Sequence, residues 1–154
     1  MPSNNNNEEI LVAAFCKAWN NLDVSFIENY LTDDFEYSSQ MVIANINGTD
    51  AYLNYLKGKF VANKKGNDPV TAEMGYFENS PCLIIVQQLA VAEEAIFRKQ
   101  VKIDDGTIEN VSVITNVREA IIHFKFTADK IKSASLCTAA PNLNDVKRTG
   151  IFPK

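Results

Sequence analysis

Ile121-Ile122-His123-Phe124-Lys125-Phe126 runs into Thr127-Ala128-Asp129-Lys130 and then into Ile131-Lys132-Ser133-Ala134-Ser135-Leu136-Cys137. The alternating pattern predicts two strands, residues 119–127 and 131–138, joined by a tight turn at Ala128, Asp129 and Lys130. Ile122, Phe124 and Phe126 share one side of the first strand, while His123 and Lys125 share the other.

Working back from this hairpin, β-branched and aromatic segments predict further strands at residues 70–78, 82–90, 95–103 and 107–114. Asn79, Ser80 and Pro81 supply one turn, and Asp104, Asp105 and Gly106 another. Residues 89–100 are assigned to strand, although their Ala, Glu and Arg content also suits a helix. Upstream of Pro69 the period changes. Leu11, Ala14, Phe15, Ala18 and Leu22 recur at helical spacing from about Glu8 onward. Asp23 is placed to cap a short second helix whose Phe26, Ile27, Tyr30 and Leu31 form an apolar face. Residues 35–39 and 41–46 read as short strands, followed by a turn at Asn47 and Gly48. Thr49 is placed to cap a third helix in which Leu53, Leu56 and Phe60 share a face, with Lys64 and Lys65 at its negative end and Gly66 as its stop.

The predicted plan is α+β, with three N-terminal helices against a curved, mixed or antiparallel sheet. Residues 1–7 are expected to be a disordered tail, 8–138 a single domain and 139–154 an irregular C-terminal segment. At 154 residues and 46% hydrophobic content, the chain can bury a core without a disulfide or metal staple. Fifteen Lys and Arg against 19 Asp and Glu argue against a phosphate-tracking surface, so no nucleic-acid partner is expected. No apolar stretch has the length to cross a bilayer, so no membrane partner is expected, and the polar start gives a cytoplasmic location as the default. Cys16, Cys82 and Cys137 lie in apolar neighbourhoods and are expected to be buried, reduced thiols. A single histidine without convergent Cys, Asp or Glu gives no metal site, and no cofactor is expected.

Several stretches resemble the nuclear transport factor 2-like superfamily and its SnoaL-like branch. They are Ala14-Phe15-Cys16-Lys17-Ala18-Trp19, then Asp23, Tyr30-Leu31-Thr32-Asp33-Asp34-Phe35, Ile46-Asn47-Gly48-Thr49-Asp50-Ala51-Tyr52, and the hairpin from Ile121 to Ile131. The resemblance covers nearly the whole structured chain, and it implies a cystatin-like cone whose sheet and helices enclose a mostly apolar pocket. It also implies a homodimer through the sheet. On the ketosteroid isomerase pattern, the helix tyrosine that would hold an oxyanion falls at Phe15, the base carboxylate at Ser39, and the hairpin acid of the isomerases and cyclases at Ile122. Phe cannot donate a hydrogen bond, Ser is no base without a partner, and Ile has no proton to give.

The resemblance places Phe15, Trp19, Tyr37, Ser39, Tyr55, Ile122 and Phe124 around the pocket, together with whichever of Gln87 and Gln88 points inward. His123 and Tyr37 are the weak catalytic candidates. The strand period turns His123 away from Ile122 and Phe124, and it meets Tyr37 only if the hairpin shifts by one residue. Three readings follow: a domain that binds a small apolar molecule, an isomerase, cyclase or dehydratase with a non-standard acid/base set, and a non-catalytic dimeric interaction module.

Overall fold

The computed structural model describes residues 5–39, 44–66, 69–102, 105–137 and 146–154. Two α-helices, α1 (Asn5–Asn21) and α2 (Thr49–Gly66), pack on a mixed sheet. Its strands are β1 (Leu31–Ser39), β2 (Ile46–Asn47), β3 (Val70–Phe77), β4 (Ser80–Lys102), β5 (Ile108–Phe126), β6 (Ile131–Cys137) and β7 (Lys147–Arg148). The order across the seven-stranded sheet is β2-β1-β6-β5-β4-β3-β7, in which only β1 and β6 run parallel.

The α+β plan stands, with local corrections. The second helix is a single 3-10 turn, Val24–Phe26. Asp23 does cap it, accepting from the Ser25 N–H at 2.9 Å. One turn is all that forms because the chain is needed elsewhere: the Tyr30 carbonyl accepts from the Ile131 N–H at 2.8 Å, and Leu31 pairs with Ile131. Strand pairing thus begins at Leu31 rather than at residue 35. Of the apolar face expected on that helix, Ile27 and Leu31 are buried, while Phe26 and Tyr30 remain exposed.

Helix α1 begins at Asn5, so residues 5–7 of the expected tail are helical, and residues 1–4 lie outside the described residues. Only Ile46–Asn47 of the second short strand pairs with β1, and residues 40–43 likewise lie outside. Thr49 does not cap α2. Its hydroxyl instead donates to the Thr32 carbonyl at 2.5 Å, and the Gly48 carbonyl receives the first helical N–H from Tyr52. The buried stripe of α2 is Tyr52, Leu56 and Phe60, with Leu53 half-buried.

The four strands expected between residues 82 and 127 are two long ones. Residues 89–100 are strand, continuous with the segments on either side. No Gly or Pro interrupts β4 after Pro81 or β5, and the surplus of residues on β4 is taken up by register shifts between Gln88 and Glu93 and between Glu94 and Arg98. The irregular segment expected at 139–154 carries β7, and residues 138–145 lie outside the described residues.

The inner face of the sheet holds the main core. Phe35, Tyr37, Leu83, Ile85, Ile122, Phe124, Ala134 and Leu136 meet Phe15 and Trp19 of α1 and Tyr52, Leu56 and Phe60 of α2. Each Leu, Ile or Phe side chain among them stabilises by about 1.5–3 kcal/mol on burial. A smaller cluster of Cys82, Ile84, Ile121 and Val146 lies on the opposite face. No helix among the described residues is long and apolar enough to cross a membrane.

Candidate functional site

Register assembles the inner face in rows. Tyr37 pairs with Ala134, and Ala134 with Phe124. Ser39 pairs with Leu136, Leu136 with Ile122, and Ile122 with Leu83. Tyr37, Ser39, Ile122 and Phe124 therefore look toward the helices together, as the sequence predicts.

An aromatic cluster fills the space above them. Phe15 packs on Phe124 at 5.0 Å between ring centroids and on Tyr52 at 6.2 Å. Tyr52 lies 4.8 Å from Phe35 and 4.9 Å from Tyr37, and the Tyr37 and Tyr55 rings are 5.5 Å apart. Such pairs contribute about 0.5–1.5 kcal/mol each beyond burial. The hydroxyls of Tyr37, Tyr55 and Ser39 are neighbours on this face. Burial, then the neighbouring Tyr55, push the Tyr37 phenol well above its ordinary range, and burial does the same to Tyr52. Both are neutral hydroxyls at any physiological pH. Lys59 sits over the Tyr55 ring at 5.7 Å and supplies the nearby cation.

Gln87 follows Leu83 and Ile85 onto the inner side, where its Nε2 donates to Asn63 Oδ1 at 3.1 Å. Gln88 is exposed, and its N–H donates to the Pro69 carbonyl. Gln87 is thus the inward-facing glutamine.

His123 stands on the opposite face. It pairs with Ser135, and its ring meets Phe77 edge-on at 5.0 Å. Burial lowers its pKa, and Glu78 partly counters this. Tyr37 and His123 lie on opposite faces of the sheet, so the catalytic pairing that a shifted hairpin would produce does not form. The one buried carboxylate among the described residues, Glu73, also lies off the inner face: it pairs with Ile84 and accepts from the Gly150 N–H at 2.9 Å. Beside Tyr37 the polar groups are hydroxyls, but farther along the same side Tyr76 of β3 donates to the half-buried Glu9 carboxylate of α1 at 2.5 Å, a bond that pushes the Tyr76 phenol up to about 12.

Cys16 and Cys82 are buried, and burial pushes their thiols up to about 12 and about 11 respectively, while Cys137 is half-buried. None of the three forms a disulfide.

Two features escape a reading of the sequence. Tyr52 is the hub of the aromatic cluster, and its spacing from Leu56 and Phe60 (i, i+4, i+8) is the signal for it. The other is a cleft of about 400 Å³ bounded by residues 21–24 and by Lys57, Phe60, Val61 and Lys64. It depends on the left-handed turn at Leu22 (φ 52°), which no residue type there announces. Trp19, 5% exposed, does not line it but meets Phe60 edge-on at 5.0 Å.

No protein-family model and no curated protein matches the sequence. Solved structures do. An NTF2-like protein of unknown function from Cytophaga hutchinsonii has a TM-score of 0.51 at 16% identity over 94% of this chain and 99% of that one. An NTF2-like protein from Anabaena variabilis has a TM-score of 0.54 at 11% identity, covering 91% and 93%. A protein of unknown function with a cystatin-like fold from Methylobium petroleophilum has a TM-score of 0.52 at 8% identity, covering 96% and 87%. The fold is therefore the NTF2-like, cystatin-like fold, and at these identities the likeness speaks for the fold alone.

Proposed function

We propose that this chain binds a small, uncharged, largely apolar molecule between its helices and the inner face of the sheet, without acid/base catalysis. The observation that carries the reading is the Tyr37–Tyr55–Ser39 hydroxyl group set among Phe15, Tyr52, Phe124 and Ile122. These are the apolar groups and few orienting polar atoms of which ligand sites are made, and because the rings pack on one another a ligand enters by parting them. Tyr37 itself is held neutral near physiological pH, and the positions that the isomerase resemblance marks are Phe15, Ser39 and Ile122, none of which accepts or delivers a proton there. A SnoaL-like cyclase or isomerase would need a group that does.

Native mass spectrometry of the purified protein tests this. A low-polarity small molecule retained near one per chain, and weakened by Tyr37→Phe without a change in circular dichroism, supports the proposal. A ligand-free wild type that also fails to bind apolar ketones and hydrocarbons sinks it.

A homodimer through the outer face is the second reading, favoured by the half-buried His123–Phe77 pair beside exposed Ser135. The apolar part of that face is already covered within the chain, since Cys82, Ile84 and Ile121 pack with Val146. Light scattering over a range of concentrations decides it: a constant monomer mass ends the dimer reading.

A further inference from the structure

The cleft beside α2 is built differently from the inner face. Lys57, Phe60, Val61 and Lys64 recur at i, i+3, i+4 and i+7, so one stripe of α2 presents an apolar pair bracketed by two lysines. Leu22 and Val24 supply the rest of the apolar lining of a space of about 400 Å³, a volume that suits a small molecule. Phe60 and Val24 are buried, whereas Val61 is 50% exposed and leaves part of that lining open to solvent. Leu22 holds the left-handed position of the turn that ends α1, where its N–H donates to the Trp19 carbonyl and that of Asp23 to the Ala18 carbonyl. Glycine fills such a position most easily. Leucine accepts the strain and sets its side chain against both the core and the cleft.

The charges in the cleft do not cancel. Asp23 is its one carboxylate, and it is engaged by the Ser25 N–H at 2.9 Å. The bonds from Ser25, with Lys64 adding to them, hold that carboxyl below its ordinary range, so Lys64 is shared with Asp23. Neither Lys57 nor Lys64 forms a salt bridge among the described residues. α2 carries four lysines against one acid, Asp50, in a chain of formal net charge -4. The helix dipole accounts for the lysines of the last turn, but it does not reach Lys57, two turns earlier.

We infer that this cleft is a second binding site, for a small amphiphilic carboxylate whose apolar chain lies on Phe60, Val61, Leu22 and Val24 and whose head pairs with Lys57. It shares no residue with the set around Tyr37 and takes a charged ligand where that set takes a neutral one, so either reading can fail without the other. A neutral chain of the same length would cover the apolar lining and leave Lys57 without a counter-charge. A cation would meet two lysines.

The test sets octanoate against 1-octanol and octylammonium, one chain with a negative, a neutral or a positive head. The methyl signals of Leu22, Val24 and Val61 are followed by NMR on the whole chain. Octanoate is expected to shift them saturably and to bind about threefold more tightly than octanol, the worth of one exposed ion pair, with octylammonium weakest. Added salt is expected to narrow the gap. Lys57→Gln is expected to bring octanoate down to the affinity of octanol. Asp23→Asn, which keeps a capping oxygen and removes the opposing charge, is expected to tighten octanoate alone, and circular dichroism checks the fold of both variants. Equal binding of the three probes, or an octanoate affinity unmoved by both substitutions, would overturn the assignment. Shifts confined to Ile122 and the rings of Phe15, Tyr37 and Phe124 would also overturn it, returning the ligand to the inner face and leaving that reading standing. A response to phosphatidylglycerol vesicles without one to octanoate would overturn it in favour of a membrane surface.

Discussion

A step of one residue along β5 exchanges the interior for the back of the sheet, and His123 shows what that step decides. Ile122 and Phe124 are core, whereas His123 leans on Phe77 and is half-buried. Burial disfavours its charged form, so its folded pKa lies below its ordinary value of 6.5. A depressed folded value means that the unfolded chain binds the proton more readily. The neutral ring's contribution is complete above pH 6.5 and is lost as the pH falls through that value toward the folded pKa. Between pH 7.5 and 5.5, the urea midpoint should therefore fall less for His123→Gln than for the wild type. An equal fall would place the acid sensitivity elsewhere. The facing of His123, Tyr37 and Ile122 was legible because the strand period is two and admits only two answers. Trp19 was legible as a buried aromatic, but whether its N–H finds an acceptor depends on the packing of distant elements.

Among the elements, β3 is the one whose free edge has to be managed. Asn20, at the end of α1, covers part of it, because its side chain accepts from the Ala72 N–H at 2.7 Å and donates to the Ala72 carbonyl at 2.9 Å, as a neighbouring strand would. Asn20→Ala should cost roughly 2 kcal/mol in chemical unfolding by leaving that backbone pair unmet. Asn20→Asp, which keeps the acceptor and loses the donor, should fall between. Further along, Gly75 lies under Ile84. A Cβ there would stand 2.7 Å from Ile84 Cδ1 and 3.1 Å from the Lys147 carbonyl. Gly75→Ala should destabilise by about 1–3 kcal/mol, and Ile84→Val in the same chain should recover part of the loss. A neutral Gly75→Ala would mean that β7 yields freely. None of this edge protection is readable in the sequence, because Asn20 looks like any polar residue at the end of a helix and its partners lie far along the chain. The long strands were readable as strands but not as continuous ones, since bulges, unlike turns, require no Gly or Pro. The second helix failed because pairing of Leu31 with Ile131 outweighs the propensity of a segment too short to hold helix alone.

For the molecule as a whole, residues 147–153 act as a strap. β7 pairs with β3, the Met74 N–H donates to the Ile151 carbonyl at 3.0 Å, Thr149 bonds the Met74 carbonyl, and Pro153 receives Asn20. The buried Glu73 carboxylate accepts from Gly150 and stands 4.0 Å from Arg148, so the strap also carries that carboxylate's partners. Removing residues 147–154 should lower the thermal midpoint and raise light scattering on heating, because a strand edge and a buried charge are uncovered together. Unchanged scattering would show that Asn20 protects the edge unaided. The same strap sets an order of events in synthesis. β3 leaves the ribosome just ahead of β4 and well before β6, and the segment that closes its edge comes after all of them. A nascent chain held at Cys137 would carry its sheet with one border open. Until the strap arrives, the chain is most exposed to pairing with a neighbour on the same message, and this is where a holding chaperone would find its substrate.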